Sequence, residues 1–539
     1  MPARRRSYIL VPLFIVACSI GAAIFTGGGV KAATTPEDSV IQSLRQFTSV
    51  YEVVEKNFAD EVKPDKGIYK GAIPGMLREL DPHSNFFDPR DYKILLEDQH
   101  GHYSGVGMIV QDRSSKTVVL TVFGGSPAYR AGLRPGDTIL EVNDKKTDGL
   151  STNEVADLLK GPRGTHVQVV VQRPGAEKPI TFNAIREEIN RSSVDGFMIK
   201  PEQQIAYIHI AQFNENTGKD MEDMLKKFGE PNLKGLILDL RDNPGGLLNE
   251  GVETAGHFLK KGDLVVNQHG RASPNKNYTA QHSGTSGENY PIVVVVDRYS
   301  ASAAEIVTGA LQDHDRALVF GENTFGKGLV QVVFPLNDNT GLALTSAQYY
   351  TPSGRFIQRP YSNISFLDYY YHNNLDQKNT QDVKMTDSGR TVYGGGGIAP
   401  DEKYDTPKLN PFQIQVLRNS AIFNFTAKYF GSQADLKLPK GWSPDEAVIN
   451  AFHDFLMKAS IPFTEAEFTT NHQWMKEQLR VEMYKTAFTY EESQRVQIEM
   501  DPEIAKAIDL LPKAKALLDN AKKMVVERMT RQERAALAH

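Results

Sequence analysis

The chain has 539 residues, too many for one hydrophobic core, because single cores stop growing near about 250–300 residues. Its formal net charge is −5, and no basic run follows the first few positions, which excludes an electrostatic nucleic-acid binder. The one cysteine, Cys18, excludes a disulfide framework and a cysteine-based zinc site.

Residues 1–33 begin with Arg4, Arg5 and Arg6, continue as the apolar run "ILVPLFIVACSIGAAIF", and end in small residues at Val30, Ala32 and Ala33. That order predicts a secretory signal. The run also approaches the roughly 20 residues that cross a bilayer, so an uncleaved membrane anchor is the alternative. "IVAC" resembles a lipoprotein cleavage box ending at Cys18, but apolar sequence continues beyond it. Removal of this segment would leave no thiol, which suits an oxidising envelope compartment and excludes a cysteine nucleophile.

Residues 34–88 read as a helical region, with Val40, Leu44, Phe47, Val50, Val54 and Phe58 at helical spacing. Pro74 interrupts the pattern and "DPHSNFFDP" ends it. Residues 89–187 read as a compact β domain. The short runs "VGMIV", "TVVLTVF", "HVQVVVQR" and "PITFNAI" are separated by turns and by two short helical pieces, "SPAYRAG" and "STNEVADLLKG". Residues 188–405 alternate buried strands ("IAYIHIAQF", "LKGLILDL", "PIVVVVD", "RALVFGE") with helices, the pattern of an α/β core with crossover helices. Residues 406–539 show only helical patterns and no tandem repeat. The fold class is therefore multidomain α/β.

Three motifs carry chemistry. In "SASAAE", Ser302 stands three residues before Glu305, a capping box that starts a helix. Starting a helix is the ordinary role of such a serine. The same position exposes a hydroxyl beside unpaired N–H groups, Ala303 among them, suited to a developing oxyanion. In "LDLRDNPGG", Gly245 and Gly246 form either an ordinary turn or a loop whose N–H groups approach a substrate closely. In "FGKGLVQ", Lys327 is either a solvated turn lysine or an amine kept neutral by desolvation, able to take a proton from a serine. Gln331, four residues on, faces solvent or orients that amine.

Together, "DNPGG", "SASAAE" and "FGKGLVQ", the last placing Lys327 25 positions after Ser302, closely resemble the carboxyl-terminal processing proteases, the tail-specific S41 serine peptidases. The resemblance extends through "TSAQYYTPSGRFIQ" to "GIAPDE". It implies a core related to the crotonase and Clp-protease spiral. It also implies Ser302 as nucleophile, Lys327 as general base and Gln331 as third member. The N–H groups of Gly245 or Gly246 and of Ala303 would form the oxyanion hole, with no metal or cofactor. The family usually reads "SASASE"; here the third serine is Ala304, which removes one competing hydroxyl and leaves Ser300 as the other.

"YSGVGMIV" followed by "GSPAYRAGLRPGDTILEVN" resembles a PDZ domain. The resemblance implies that the loop Gly105-Val106-Gly107-Met108 receives a peptide carboxylate while the peptide adds to the sheet as a strand. The partners it implies are proteins or peptides with apolar C-terminal tails, and the location is the bacterial envelope, periplasmic or held at the inner membrane. The N-terminal helices resemble a dimerisation region of relatives, so a homodimer is expected. A segment of about 360–396, containing Tyr369, Tyr370 and Tyr371, departs from the family and is expected to be a surface excursion, able to flank the substrate groove. His257, His282 and His314 are the candidates for a serine–histidine pair and are read as ordinary histidines. The competing functions are a catalytically silent PDZ scaffold and an acyl-thioester enzyme on the same kind of fold.

Overall fold

The computed structural model describes residues 36–537 except 64, 272–273, 282–289, 363, 372–378 and 432–437. The expected signal or anchor at 1–33 and His282 lie outside these residues. Among the described residues no helix is long and apolar enough to cross a membrane. The chain divides into two compact units, 1–75 and 76–539.

In the first unit the helix Pro36–Asn57 leaves Val40, Leu44, Phe47, Val50 and Val54 exposed at helical spacing. A π-helical turn, Asp65–Ala72, follows.

The second unit opens with the small β domain. Its antiparallel sheet runs in the order Met108–Arg113, Lys116–Val122, Thr138–Val142, His166–Gln172, Ile180–Ile185. Strict alternation in "HVQVVVQ" buries Val167, Val169 and Val171 against Val155 and Leu159 of the helix Thr152–Leu159. That helix starts at Ser151, whose reciprocal bonds with Glu154 close a capping box. Met108–Arg113 is an edge strand, so one row of its backbone groups is free of ladder partners.

The core is built on a six-stranded sheet ordered Val194–Lys200, Ile205–Ile210, Gly235–Asp239, Ile292–Val296, Leu318–Gly321, Glu402–Lys403. The first pair is antiparallel and the others are parallel. Every residue of the strand "IVVVV" is buried, which requires covers on both faces. On one face Leu236, Leu238 and Val294 meet the helices Thr217–Phe228, Leu248–Gly256 and Ala303–Asp313 through Met221, Val252 and Val307. On the other, Ile237, Val293 and Val295 meet Ile504, Ala507, Leu511 and Ala514. The C-terminal region thus supplies the second cover, while its remaining helices close a core of their own around Phe425, Phe452, Met475 and Leu479.

A second sheet joins Asn85–Phe87, Gly341–Tyr350, Leu264–His269 and Lys276–Thr279, with Leu329–Pro335 also paired to Gly341–Tyr350. The segment after it corrects the expectation of a surface excursion. Its short helix Phe366–Tyr371 buries Tyr369 to 4% exposure against Ala301 and Phe325. Its hairpin, Asn379–Met385 with Thr391–Gly394, is tied to the core by the ion pairs that Arg390, in the hairpin turn, makes with Asp315 and Asp401. Aromatic area of this size is driven out of water wherever a complementary apolar surface is within reach.

Candidate active site

The site lies where the parallel strands end at their C-terminal edge, the usual location for ligands in open α/β sheets. After Gly235–Asp239 the chain turns through Asn243, which is fully buried. Its amide donates to Ile210 O at 2.6 Å, its side-chain oxygen accepts from Gly245 N–H at 2.8 Å, and its carbonyl accepts from Ala301 N–H at 2.8 Å. One side chain therefore pins the glycine loop, and its own backbone holds the turn that carries Ser302. Gly245 has φ 95°, and a Cβ there would stand 2.7 Å from the Ser302 Cβ. Only glycine permits this approach. Because the Gly245 N–H is committed to Asn243, the exposed Gly246 is the glycine of the loop whose N–H is not so engaged.

Ser302 is half-buried at the N-cap of Ala303–Asp313 with φ 55°, ψ −113°. A non-glycine residue in that region costs about 1–3 kcal/mol, a strain typical of sites that present a side chain. Ser302 and Glu305 form the expected capping box, in which Glu305 accepts from Ser302 N–H at 2.9 Å. Ala303, first in the helix, has an N–H without an intrahelical acceptor. Ser300 is different. It is fully buried, donates to Leu240 O at 2.7 Å and accepts from Asp297 N–H at 2.9 Å. Its hydroxyl is consumed by structure.

Glu305 does more than the capping box predicted. Fully buried, it accepts from Ser302 N–H, the Thr324 hydroxyl, Gly326 N–H and Lys327 N–H. One carboxylate clamps the serine turn to the lysine loop. Burial pushes its pKa up to about 7, against the opposing effect of these four donors. The buried Tyr349 hydroxyl repeats the clamp, lying 3.0 Å from Ser302 O and against Lys327 O.

Burial lowers the Lys327 amine to about 8, partly countered by Glu305 and Asp81. Among the described residues no hydrogen bond joins Lys327 to Ser302 or to Gln331. The Gln331 amide instead donates to Thr345 Oγ1 at 3.2 Å across the paired strands. Thr345 N–H in turn donates to Ser84 Oγ, and Ser84 Oγ to Asp81 at 2.6 Å.

Sequence reasoning treated "DPHSNFFDP" only as a helix breaker. It supplies Asp81 and His83 to the surroundings of Lys327. Burial, then Lys327, lowers His83 to about 3, with Asp81 opposing. The signal available was the compact run of chemistry-bearing residues in an otherwise apolar helical stretch. His257 and His314 are engaged elsewhere. His257 Nε2 bonds Gly218 O at 3.0 Å, while His314 bonds Asp387 and Leu264 O.

Arg241, next to the glycine loop, pairs with Asp239 at 2.6 Å and with Asp501 and Glu503, both at 2.9 Å. The last two come from the C-terminal region. In the β domain, Gly107 has φ 79°, and a Cβ there would stand 2.4 Å from Ser126 Cβ. Ser126 Oγ donates to Gly107 O, and Val106 O accepts from Ala128 N–H, so the loop Gly105-Val106-Gly107-Met108 is fixed from the domain side. Among the described residues no group of three or more His, Cys, Asp or Glu side chains could hold a metal ion.

An α/β core presenting a strained serine at a helix N-terminus, preceded in the chain by a small open-edged β domain, defines a hydrolase with an appended binding module. Known proteins give the same class. The model of peptidase family S41 matches residues 204–363, and a PDZ-domain model matches 118–173. A carboxy-terminal-processing protease of Bartonella bacilliformis is 36% identical over 329 residues, covering 60% of this chain and 75% of that protein. A CtpA-like serine protease of Staphylococcus aureus is 34% identical over 382 residues, covering 71% and 68%. A solved photosystem II D1 C-terminal processing protease is 28% identical, covering 67% of this chain and 92% of its own, with TM-score 0.34. The chain belongs to the carboxy-terminal-processing proteases of peptidase family S41, serine-type peptidases, and it carries a PDZ domain.

Proposed function

We propose that this peptidase works in the bacterial envelope, captures C-terminal protein tails through its PDZ domain, and cleaves peptide bonds through a Ser302–Lys327 acyl-enzyme. The observation that carries the reading is the Glu305 clamp, which fixes the serine turn and the lysine loop to one another beside a lysine whose burial favours the neutral amine. Neutral Lys327 takes the Ser302 proton as Oγ attacks the scissile carbonyl. The oxyanion is received by the N–H groups of Ala303 and Gly246, with Gly245 setting the close approach. The lysine then passes the proton to the leaving amine, and water releases the acyl group. Gln331, through Thr345 and Ser84, joins the hydrogen-bonded chain that ends at Asp81, one of the groups acting on the Lys327 amine. Among the described residues no bond joins Ser302 to Lys327, and catalytic hydrogen bonds of this kind often tighten only once substrate is bound.

Tail capture rests on the open edge of Met108–Arg113, which offers backbone groups for a peptide strand, and on the glycine loop before it. Envelope location, with a signal or membrane anchor, rests on residues 1–33. The exposed apolar stripe of Pro36–Asn57 supports pairing with a second copy of the chain.

The test uses protein lacking residues 1–33 and an unfolded reporter ending in an apolar tail, either free or amidated. Cleavage of the free-tail reporter, lost in folded Ser302→Ala and Lys327→Ala and weakened by amidation, is the expected result. Tail binding without cleavage under any condition would favour the silent scaffold. Cleavage by Ser302→Ala would remove Ser302 as nucleophile.

A further inference from the structure

The segment that departs from the family pattern packs, through Tyr369, against Phe325 on the lysine loop. Arg359 stacks on the Phe325 ring at 3.7 Å and on the Tyr369 ring at 4.2 Å. Phe325 is two residues before Lys327. Tyr369 meets Phe325 edge-on, and His83 is edge-on to both Tyr369 and Tyr370. These rings and the guanidinium plane form a stack beside the lysine loop, contributed by 83, 325, 359 and 369–370.

Hydrogen bonds give the stack a direction. Gln358 accepts from Gly328 N–H at 2.9 Å, immediately after Lys327. Its amide donates to the Tyr369 hydroxyl at 3.1 Å. The Tyr369 oxygen lies 2.9 Å from His83 Nε2, and the other ring nitrogen lies 3.2 Å from the Tyr370 hydroxyl, itself a donor to Pro82 O. One assignment satisfies the whole chain. Gln358 donates to Tyr369, Tyr369 donates to His83 Nε2, His83 Nδ1–H donates to Tyr370, and Tyr370 donates to Pro82. It requires a neutral imidazole. Glu305 thus holds the N–H groups of Gly326 and Lys327 from one side, and this chain holds that of Gly328 from the other.

We infer that His83 and Tyr369 are positioning residues for Lys327, fixing its loop through Gln358 and excluding water from its amine. The inference rests on the reading of Lys327 as general base. The charged and titratable groups acting on that amine are Glu305 from the serine helix and Asp81 and His83 from the 81–84 turn, while Arg359 and, in the inserted segment, Tyr369 pack on Phe325, two residues before it. Tyr349 faces the same loop from the strand Gly341–Tyr350. A protonated His83 would add a donor where Tyr369 already donates, and a positive charge near the lysine. Burial of the imidazole, with Lys327 beside it, works against that state.

The experiment is the pH profile of kcat/KM on the free-tail reporter for wild type, Tyr369→Phe, Tyr369→Ala, His83→Asn and Lys327→Ala, with thermal melts alongside. Water admitted to the lysine raises its pKa. In Tyr369→Ala the rising limb therefore moves from about 8 toward the ordinary lysine value of 10.5. Activity at neutral pH falls about tenfold, recovers as pH is raised, and KM changes little, since a one-unit pKa shift corresponds to about tenfold in the neutral fraction. Tyr369→Phe keeps the ring and cuts the link to Gln358, so it shifts the limb less, and His83→Asn does likewise. Should Tyr369→Ala not fold, the Tyr369→Phe and His83→Asn profiles carry the test. A uniform loss with an unmoved limb overturns the inference while an inactive Lys327→Ala leaves the base assignment standing. An active Lys327→Ala overturns both.

Discussion

The serine and lysine sides of the site are built in different ways. Ser302 is set by local geometry: a strained N-cap, a glycine at contact distance, and the buried Asn243 and Ser300 that tie three neighbouring strand ends together. Lys327 is set by burial, and residues distant in sequence surround its loop: Asp81 and His83 act on its amine, while Arg359 and Tyr369 pack on Phe325, two residues before it. A nucleophile needs a fixed direction, which local geometry provides. A neutral lysine needs a dry environment, which only tertiary packing provides. Glu305 and Tyr349 are where the two halves meet.

The largest effects should come from the two reacting groups. Ser302→Ala and Lys327→Ala should each lower kcat/KM by about 10⁴-fold or more, measured on the tail reporter. Lys327→Arg should fail equally, because a guanidinium does not lose its proton in this range. Wild-type kcat/KM should rise with pH through about 8 if, as proposed, the deprotonated Lys327 amine is the base. A flat profile would break the contrast drawn above.

Glu305→Gln should be next, because it strikes both halves at once. The amide offers one acceptor oxygen to four donors and turns an NH₂ toward backbone N–H groups. We expect about 10²-fold loss in kcat and about 2–4 kcal/mol in stability, from buried donors left unpaired. A denaturant melt and steady-state rates would check it. Arg241→Met should cost about 3–5 kcal/mol, since it leaves the buried Asp239 without its cation. A smaller loss by the same melt would show that the glycine loop stands without its C-terminal brace. Ser300→Ala should be mildest, at about 1–2 kcal/mol with cleavage retained, because its hydroxyl only bonds Leu240 O and Asp297. Lost cleavage with an intact fold would return Ser300 as a nucleophile candidate.

Much of the architecture was legible. Period-two runs such as "HVQVVVQ" and unbroken apolar runs such as "PIVVVVD" named their strands, and the helical tail was read as helical. The spacing of "SASAAE" and "FGKGLVQ" drew attention to the residues that Glu305 joins. What was not legible depended on distant partners. Nothing local to "YSNISFLDYYY" says that Tyr369 reaches Phe325, and nothing in "DPHS" says that His83 sits between two tyrosines. The Gln331 amide likewise bonds a neighbouring strand, a partner set by sheet register and invisible in the spacing from Lys327.

The strand Ile292–Val296 and its neighbours are covered on one face by residues 504–514. During synthesis the chain emerges from its N-terminal end, and domains generally fold in that order. Ser302, the glycine loop and Lys327 are all translated about 200 residues before Ile504, Leu511 and Asp501 exist to seal the sheet and pair with Arg241. A ribosome-bound chain would therefore hold every reacting group yet lack half of the core that keeps them in place. Stable packing of this core therefore waits on some of the last residues to be translated.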